Sequence, residues 1–401
     1  MTYHPVKTRM LILSLLGFVC WRSHALGQAQ DCERATHPVT EIGERTGLDQ
    51  AIPVNPPIFP IQANGARYIR VRLQIDDPID CDWYLSVRDF QFRTIQTLAA
   101  KDFLSSRSRW TDRVAGPLTT LDVQACDDGR RPAVRVKEYI AMPQSSEHSY
   151  YSLQDPQKPR FRELYSDPVG TYLRRYGDAV GFLMASWVRQ VWTCSGVMIA
   201  QGLFLTNWHC GAPSSEFPAG GYWSEQIVKD TIIDMSWDGG ALSRDYVAVK
   251  LVDKDSDLDF ALLRVEPIDS SGLIRPPSIR VTLPKQGAES EKIEIIHHPA
   301  AMQKQISYDC AIVNWEYPSW QAHVPGTDFT DRCDTEGGSS GAPVFDPNGN
   351  LVGIHHLGFD VNPLTCKQND DLNKGIRIDK IIEFLRTHDH EVIQELRIIS
   401  H

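Results

Sequence analysis

No Cys-x-x-Cys pair occurs in the chain, so the paired thiolate ligands of a zinc ribbon are missing. No basic run extends beyond a few residues, and 51 acidic against 41 basic side chains leave a formal net charge of −10. A chain of that sign repels phosphate backbones and anionic lipid surfaces, so neither nucleic acid nor a membrane surface is a default partner. No internal repeat of fixed period marks a solenoid or propeller. With 42% hydrophobic and 23% charged residues, the composition excludes a disordered or fibrous chain. What remains is a globular protein, and 401 residues point to two domains.

The apolar run Met10 to Cys20 falls short of the about 20 residues that a helix needs to cross a bilayer. Lys7 and Arg9 precede it, and small residues follow at Ala25, Gly27 and Ala29. A basic start, an apolar centre and a small-residue cleavage site make a secretory signal peptide, assigned to residues 1–29; an uncleaved anchor is the alternative. The expected location is secreted or periplasmic, with no transmembrane anchor after signal removal. Of nine cysteines, Cys20 leaves with the signal and eight remain. An even number in an exported chain implies disulfides.

Short runs rich in Val, Ile, Tyr and Trp lie between Gly, Pro, Asp and Asn clusters, the pattern of an all-β chain. Arg67 to Gln74 alternates polar and apolar residues as a half-buried strand does, and Trp83 to Phe92 and Val134 to Tyr139 are similar. Residues 30–142 therefore read as a small β-sandwich domain of unassigned role, in which Cys81 and Cys126 could be bridged. Residues 143–165, rich in Ser, Gln, Pro and Tyr, read as a linker. Residues 166–401 hold all the chemical motifs. Near their end, Ile378 to Thr387 carries Ile378, Ile381, Ile382 and Leu385 at helical spacing.

A serine hydroxyl is a weak nucleophile near neutral pH. It needs a base within reach, a third group to orient that base, and N–H donors for the oxyanion that forms. Three stretches offer these parts. TNWHC, Thr206 to Cys210, ends a hairpin that begins TCSGVMIA, Thr193 to Ala200. Cys194 and Cys210 bracket that hairpin, and a bridge between them would pin His209. DLDFALLRV, Asp257 to Val265, places Asp259 at the start of an apolar strand, with Asp257 more exposed to solvent in the preceding loop. DTEGGSSGAPVF, Asp334 to Phe345, surrounds Ser339 and Ser340 with Gly337, Gly338 and Gly341, which let backbone N–H groups converge on one point.

The order of these motifs resembles the trypsin-like family of two-barrel serine proteases. HHPAAMQKQIS, His297 to Ser307, and VGIHHLG, Val352 to Gly358, are similar to its bacterial glutamyl and lysyl endopeptidase branch. The resemblance covers roughly residues 166 to 390. It implies two antiparallel six-stranded barrels with a C-terminal helix packed on the last barrel, behind the sandwich. It implies a serine endopeptidase acting on protein or peptide substrates, with no cofactor and no metal. It assigns Ser340 rather than Ser339 as nucleophile, His209 as base, Asp259 as its orienting partner, and the N–H groups of Gly338 and Ser340 as oxyanion hole. Expected bridges are Cys194–Cys210 and Cys310–Cys333, then Cys81–Cys126, leaving Cys32 with Cys366.

Two features depart from animal trypsins or point in opposite directions. Ser339 stands where those enzymes carry the Asp that binds a freshly cut N-terminus. Thr335 and His355 resemble the hydroxyl and imidazole that receive an acidic side chain, whereas Asp334 matches the residue that attracts Lys or Arg. Cleavage after Glu or Asp is the preferred expectation, with Asp334 holding its loop; a Lys/Arg-specific protease is the alternative. A binding protein that kept the fold and lost turnover usually lacks a triad residue, and none is missing here.

Overall fold

The computed structural model describes residues 40–103, 107–143, 151–152, 160–166, 171–212, 221–238, 245–268, 279, 291–319, 324–358 and 372–396. The signal peptide and the Cys32–Cys366 pair lie outside them.

The chain begins with nine strands: β1 (Thr40–Ala51), β2 (Ile58–Gln62), β3 (Ala66–Asp77), β4 (Tyr84–Arg88), β5 (Thr94–Ala99), β6 (Ser108–Trp110), β7 (Val114–Ala115), β8 (Leu118–Gln124) and β9 (Ala133–Pro143). Strands β2, β8, β4 and β5 form one sheet; β1, β9 and β3 continue into a second, with β6 and β7 on the far edge of β3. Ile69, Val71, Leu73 and Ile75 of β3 meet Leu85, Val87, Leu121 and Val123 in a dry core between the sheets. Cys81 and Cys126 are bridged beside it. The apolar stretch from Trp83 breaks at Asp89, whose carboxylate accepts the N–H groups of Gln91 and Arg93 at 2.9 Å each and turns the chain into β5.

Two short strands follow, β10 (Tyr151–Ser152) and β11 (Phe161–Glu163). The first barrel uses β12 (Val180–Trp187), β13 (Gln190–Ala200), β14 (Leu203–Thr206), β15 (Ile232–Asp234), β16 (Asp245–Asp255) and β17 (Phe260–Pro267). It closes in the order β12-β15-β16-β17-β14-β13, with β13 returning to β12. The second uses β18 (Lys292–His297), β19 (Gln305–Tyr317), β20 (Asp328–Asp331), β22 (Pro343–Phe345), β23 (Leu351–Leu357) and β24 (Asn373–Arg377), with β21 (Thr335–Glu336) between β20 and β22. It closes as β19-β18-β22-β23-β24-β20, with β20 returning to β19. Strand β10 pairs with β21, and β11 with β19.

The helix Ile378–His388 buries Ile378, Ile381, Ile382 and Leu385, as its spacing predicts. It does not sit on the last barrel alone. Those residues share one core with Ile354 and Ile376 of the second barrel and with the interior of the first, and Phe384 meets Phe260 edge-on at 5.3 Å. The helix closes the seam between barrels.

The alternation in β3 suggested a strand with one wet face, and here the structure differs. Tyr68 and Arg70, on the face away from the sandwich core, are 1% and 0% exposed. That face lies on the first barrel, where Tyr68, Trp110, Ile140 and Met142 pack with Phe182, Met184, Ile232 and Trp237. The polar residues along it are ion-paired rather than solvated. Arg70 reaches Asp245 at 2.7 Å, Arg113 reaches Asp234 at 2.5 Å, and Arg45 and Arg72 share Glu138 and Asp230. Strand β1 hydrogen-bonds β9 on one edge and β13 on the other, so one eleven-stranded sheet runs from sandwich to barrel.

A buried charge left without its partner is strongly destabilising. Arg70→Ala, which removes the guanidinium from the buried pair with Asp245, should cost about 3–5 kcal/mol. Sandwich and first barrel should unfold in one transition. Denaturant titration followed by tryptophan fluorescence and far-UV dichroism checks both; a separate early transition for the sandwich would contradict this account.

Candidate active site

His209 opens a short 3₁₀ turn directly after β14, and the Cys194–Cys210 disulfide fastens that turn to β13. The Trp192 indole N–H donates to the Cys210 carbonyl at 2.8 Å and fixes the same corner. Asp259 precedes β17 with φ of 44°, a left-handed conformation that Asp tolerates better than most residues. Its carbonyl accepts the Asn207 side-chain amide at 2.9 Å. One carboxylate oxygen accepts the His209 backbone N–H at 2.9 Å, and the other lies 2.7 Å from His209 Nδ1. With Nδ1–H donated to the carboxylate, Nε2 is the basic nitrogen of the neutral ring. Asp257 is exposed in the loop before.

Burial alone would raise the Asp259 pKa, but the charges and hydrogen bonds of His209 and His356 win and hold it at about 2. The part played by His356 was not foreseen in the sequence. Its Nδ1 lies 3.1 Å from Asp259, and its Nε2 lies 3.1 Å from Asp328 on β20, an ion pair bent outside hydrogen-bonding geometry. Burial lowers the His356 pKa, yet the two carboxylates carry it up to about 9. Only the adjacent histidines at 355 and 356 hinted at this, since strand neighbours face opposite sides.

The loop from Asp334 to Ala342 is stitched to both barrels by its own backbone. Ser195 of β13 donates its N–H to the Ser340 carbonyl at 2.7 Å and its hydroxyl to the Gly338 carbonyl at 2.8 Å. The Gly341 N–H donates to the His355 carbonyl, and the Ala300 N–H to the Gly337 carbonyl, each at 2.7 Å. Gly338 has φ of 95°, and a Cβ there would stand 2.7 Å from the His298 carbonyl, so only glycine fits. A trans peptide points its C=O and N–H in opposite directions. The Gly337 carbonyl faces Ala300, so the Gly338 N–H is turned away from it.

Ser339 is wholly buried and meets no carboxylate among the described residues. Its hydroxyl accepts the Glu336 N–H at 3.2 Å and lies 2.7 Å from His297 Nδ1. His297 Nε2 lies 3.0 Å from the Ser307 hydroxyl, which donates to the Asp334 carbonyl. One proton arrangement satisfies every member: Ser339 donates to Nδ1, and Nε2–H donates to Ser307. Burial, with the nearby charges of His355 and His298, keeps the His297 pKa far below 6.5 and its ring neutral. His297 thus links Ser339 to Ser307 and, through that hydroxyl, to the Asp334 carbonyl, a role its sequence context did not announce.

The remaining predicted residues lie beside this loop. The Asp334 carboxylate accepts the Arg160 backbone N–H at 2.6 Å. The Thr335 hydroxyl donates to Asn373 Oδ1 at 3.0 Å. Cys310 and Cys333 are bridged. His355 is buried, and its Nδ1 has no hydrogen-bond partner among the described residues. Burial and the charges of His356, His209 and Lys374 lower its pKa to about 3. Lys374, itself only 2% exposed, is a buried cation that the sequence reading missed.

These histidine shifts contribute to the pH dependence of stability, beside buried Asp331 and Asp245, whose pKa values burial raises to about 6 and about 8. His297, His298 and His355 are neutral when folded, with lowered pKa values, but take protons near 6.5 when unfolded; stability therefore falls as pH drops below 6.5. His356 has the opposite sign. Its contribution is complete below 6.5 and is lost as pH rises through about 9. Thermal melts between pH 4 and 10 (about these limits, spanning the shifts above) should show both limbs. His356→Gln should remove most of the alkaline one, and an alkaline limb of unchanged size in that variant would overturn the assignment.

Residues 194–354 match the family model described as a trypsin-like peptidase domain. The curated glutamyl endopeptidase of Staphylococcus epidermidis is 24% identical over 222 residues, which cover 54% of this chain and 70% of that protein. The Rv3671c protease of M. tuberculosis in its active form is 17% identical, with a TM-score of 0.40 over 57% of this chain and 90% of that one. The HtrA-type protease AlgW with a tripeptide is 19% identical, with a TM-score of 0.40 over 55% of this chain and 63% of that one. The matched segment runs from within β13 of the first barrel to within β23 of the second. It forms a trypsin-like peptidase domain, and the chain is a serine endopeptidase of the chymotrypsin fold.

Proposed function

We propose that Ser340 is the nucleophile, His209 the general base and Asp259 the residue that orients the histidine. The Ser340 hydroxyl attacks the peptide carbonyl while His209 Nε2 takes its proton. The carbonyl oxygen, now an anion, is received by the N–H groups of Gly338 and Ser340. His209 then returns the proton to the leaving amine, and water repeats the cycle on the acyl-enzyme. The observation that carries this reading is the two-point grip of Asp259 on His209, through the backbone N–H and Nδ1. It leaves the imidazole one orientation and one neutral tautomer.

The same reading extends to specificity. The scissile bond follows Glu, with Asp second. In support, the Asp334 carboxylate is occupied by the Arg160 N–H, and His355 Nδ1 has no hydrogen-bond partner among the described residues. Lys374 adds buried positive charge near it. Thr335, its proton directed to Asn373, shapes the wall beside them. The relative with the printed name glutamyl endopeptidase agrees with this. The chain is exported, with residues 1–29 as signal, residues 30–142 as a sandwich domain, residues 143–165 as a connection and residues 166–401 as the protease; the disulfides fit an oxidising compartment.

Ser340→Ala should abolish labelling by a serine-directed phosphonate and lower activity by about four orders of magnitude or more. Asp259→Asn should stay folded and lower turnover by about 10⁴, whereas Asp257→Asn should do little. Labelling that survives in Ser340→Ala and vanishes in Ser339→Ala would refute the choice of serine. An intact wild-type chain that takes no label would favour a binding protein instead.

On a mixed peptide library, cleavage after Glu should dominate and weaken in His355→Ala. Efficient cleavage after Lys or Arg, lost in Asp334→Ala, would reverse the specificity reading.

A further inference from the structure

The role of the N-terminal sandwich is open in the sequence: it could restrain the protease, target it, or serve it. One route from the sandwich to the nucleophile loop runs through the side chain of Trp237. Three sandwich residues hold that indole. Tyr68 meets it edge-on at 5.3 Å, and the Arg67 and Arg113 guanidinium carbons lie 5.1 and 5.0 Å from its centre. Arg113 also donates to the Ser236 carbonyl at 2.6 Å, gripping the chain one residue earlier.

On its other side Trp237 holds the turn Pro299–Ala301. Its Nε1–H donates to the Ala301 carbonyl at 3.2 Å, and its own carbonyl accepts the Lys304 N–H at 2.8 Å. That turn needs holding. Ala300 and Ala301 have φ of 47° and 56°, consecutive left-handed positions that persist only where surrounding structure over-determines them. The same turn supplies the Ala300 N–H to the Gly337 carbonyl, the contact that turns the Gly338 N–H away.

We propose that the sandwich is a built-in activator of the protease. By clamping Trp237 it fixes the Pro299–Ala301 turn, and the turn holds the Gly337–Gly338 peptide in the orientation that offers the Gly338 N–H to the oxyanion. This rests on the assignment of Gly338 to the oxyanion hole above. Trp237 is a positioning residue that never touches substrate. A sandwich acting as an inhibitor would have the opposite sign, since loosening it would raise activity.

The test uses the full chain and two substitutions. Trp237→Phe keeps the ring and removes the N–H to Ala301; Arg67→Met removes a cation from the indole face. For each, kcat and KM on a peptide substrate are measured with the affinity for a peptide boronate, which mimics the tetrahedral intermediate, and with the melting temperature. Loss of a whole oxyanion donor costs about 10²–10³ in kcat, so a misheld one should cost about tenfold in Trp237→Phe. Boronate affinity should fall by the same factor while KM stays within about twofold. Arg67→Met should move kcat and boronate affinity the same way by a smaller factor, and it carries the test alone if Trp237→Phe does not fold. Unchanged kcat and boronate affinity in the folded variants overturn the proposal, and so does a rise in kcat. A wild-type chain unlabelled by phosphonate at Ser340 would sink the protease reading itself, an outcome distinct from a labelled enzyme indifferent to Trp237.

Discussion

A carboxylate buried where two barrels meet must find its counter-charge there, and Asp259 organises the molecule through that need. It stands on the first barrel. One of its oxygens is shared by His209 of the same barrel and His356 of the other, and His356 passes the interaction on to Asp328. Carboxylate and imidazole alternate along this line, with the His356 ring held between the two acids. This alternation means that the electrostatics aligning the imidazole set the position of one barrel against its partner. A displacement of β23 would reach His209 through Asp259.

The nucleophile loop is governed by a different constraint. Its backbone makes the contacts that join it to both barrels, and small residues are what allow the approach. A Cβ on Gly341 would stand 2.2 Å from the Ser195 carbonyl, so the loop could not reach the first barrel with any other residue there. A loop with so few side chains cannot brace itself. His297 links Ser339, through Ser307, to the Asp334 carbonyl, and the left-handed alanine turn presses on the loop's middle. Both nitrogens of the neutral His297 imidazole are committed, one to Ser339 and one to Ser307.

What could be read in the sequence was whatever is encoded within a few residues. The His209 hairpin carries its own cysteines, Asp259 its strand, and the glycines their loop. Helix Ile378–His388 was visible because its apolar spacing is complete. Trp237, His297 and His356 were not visible, because each acts through a partner brought in by barrel closure, and nothing in the neighbouring residues names that partner. Arg70 misled for a related reason. A charged residue alternating with valines implies a wet face, and only the docking of a second domain, with Asp245 waiting, makes that face dry. Local pattern reports what a strand can bury, not which surface arrives to bury it.

Strand β1 has a consequence in time as well as in space. It pairs with β9 through Glu44 and Ala141, and with β13 through Thr40 and Thr193. On a chain made from its N-terminus, β1 is complete long before either partner exists, and its second edge waits longest. Contacts so far apart in sequence are slow to form, because loop closure precedes any gain from pairing. Until β13 arrives, the half-built sandwich exposes both an open strand edge and the apolar face of Tyr68, Ile140 and Met142, the surfaces through which nascent chains stick to one another. The seam between sandwich and first barrel can therefore close only once β13 has been made.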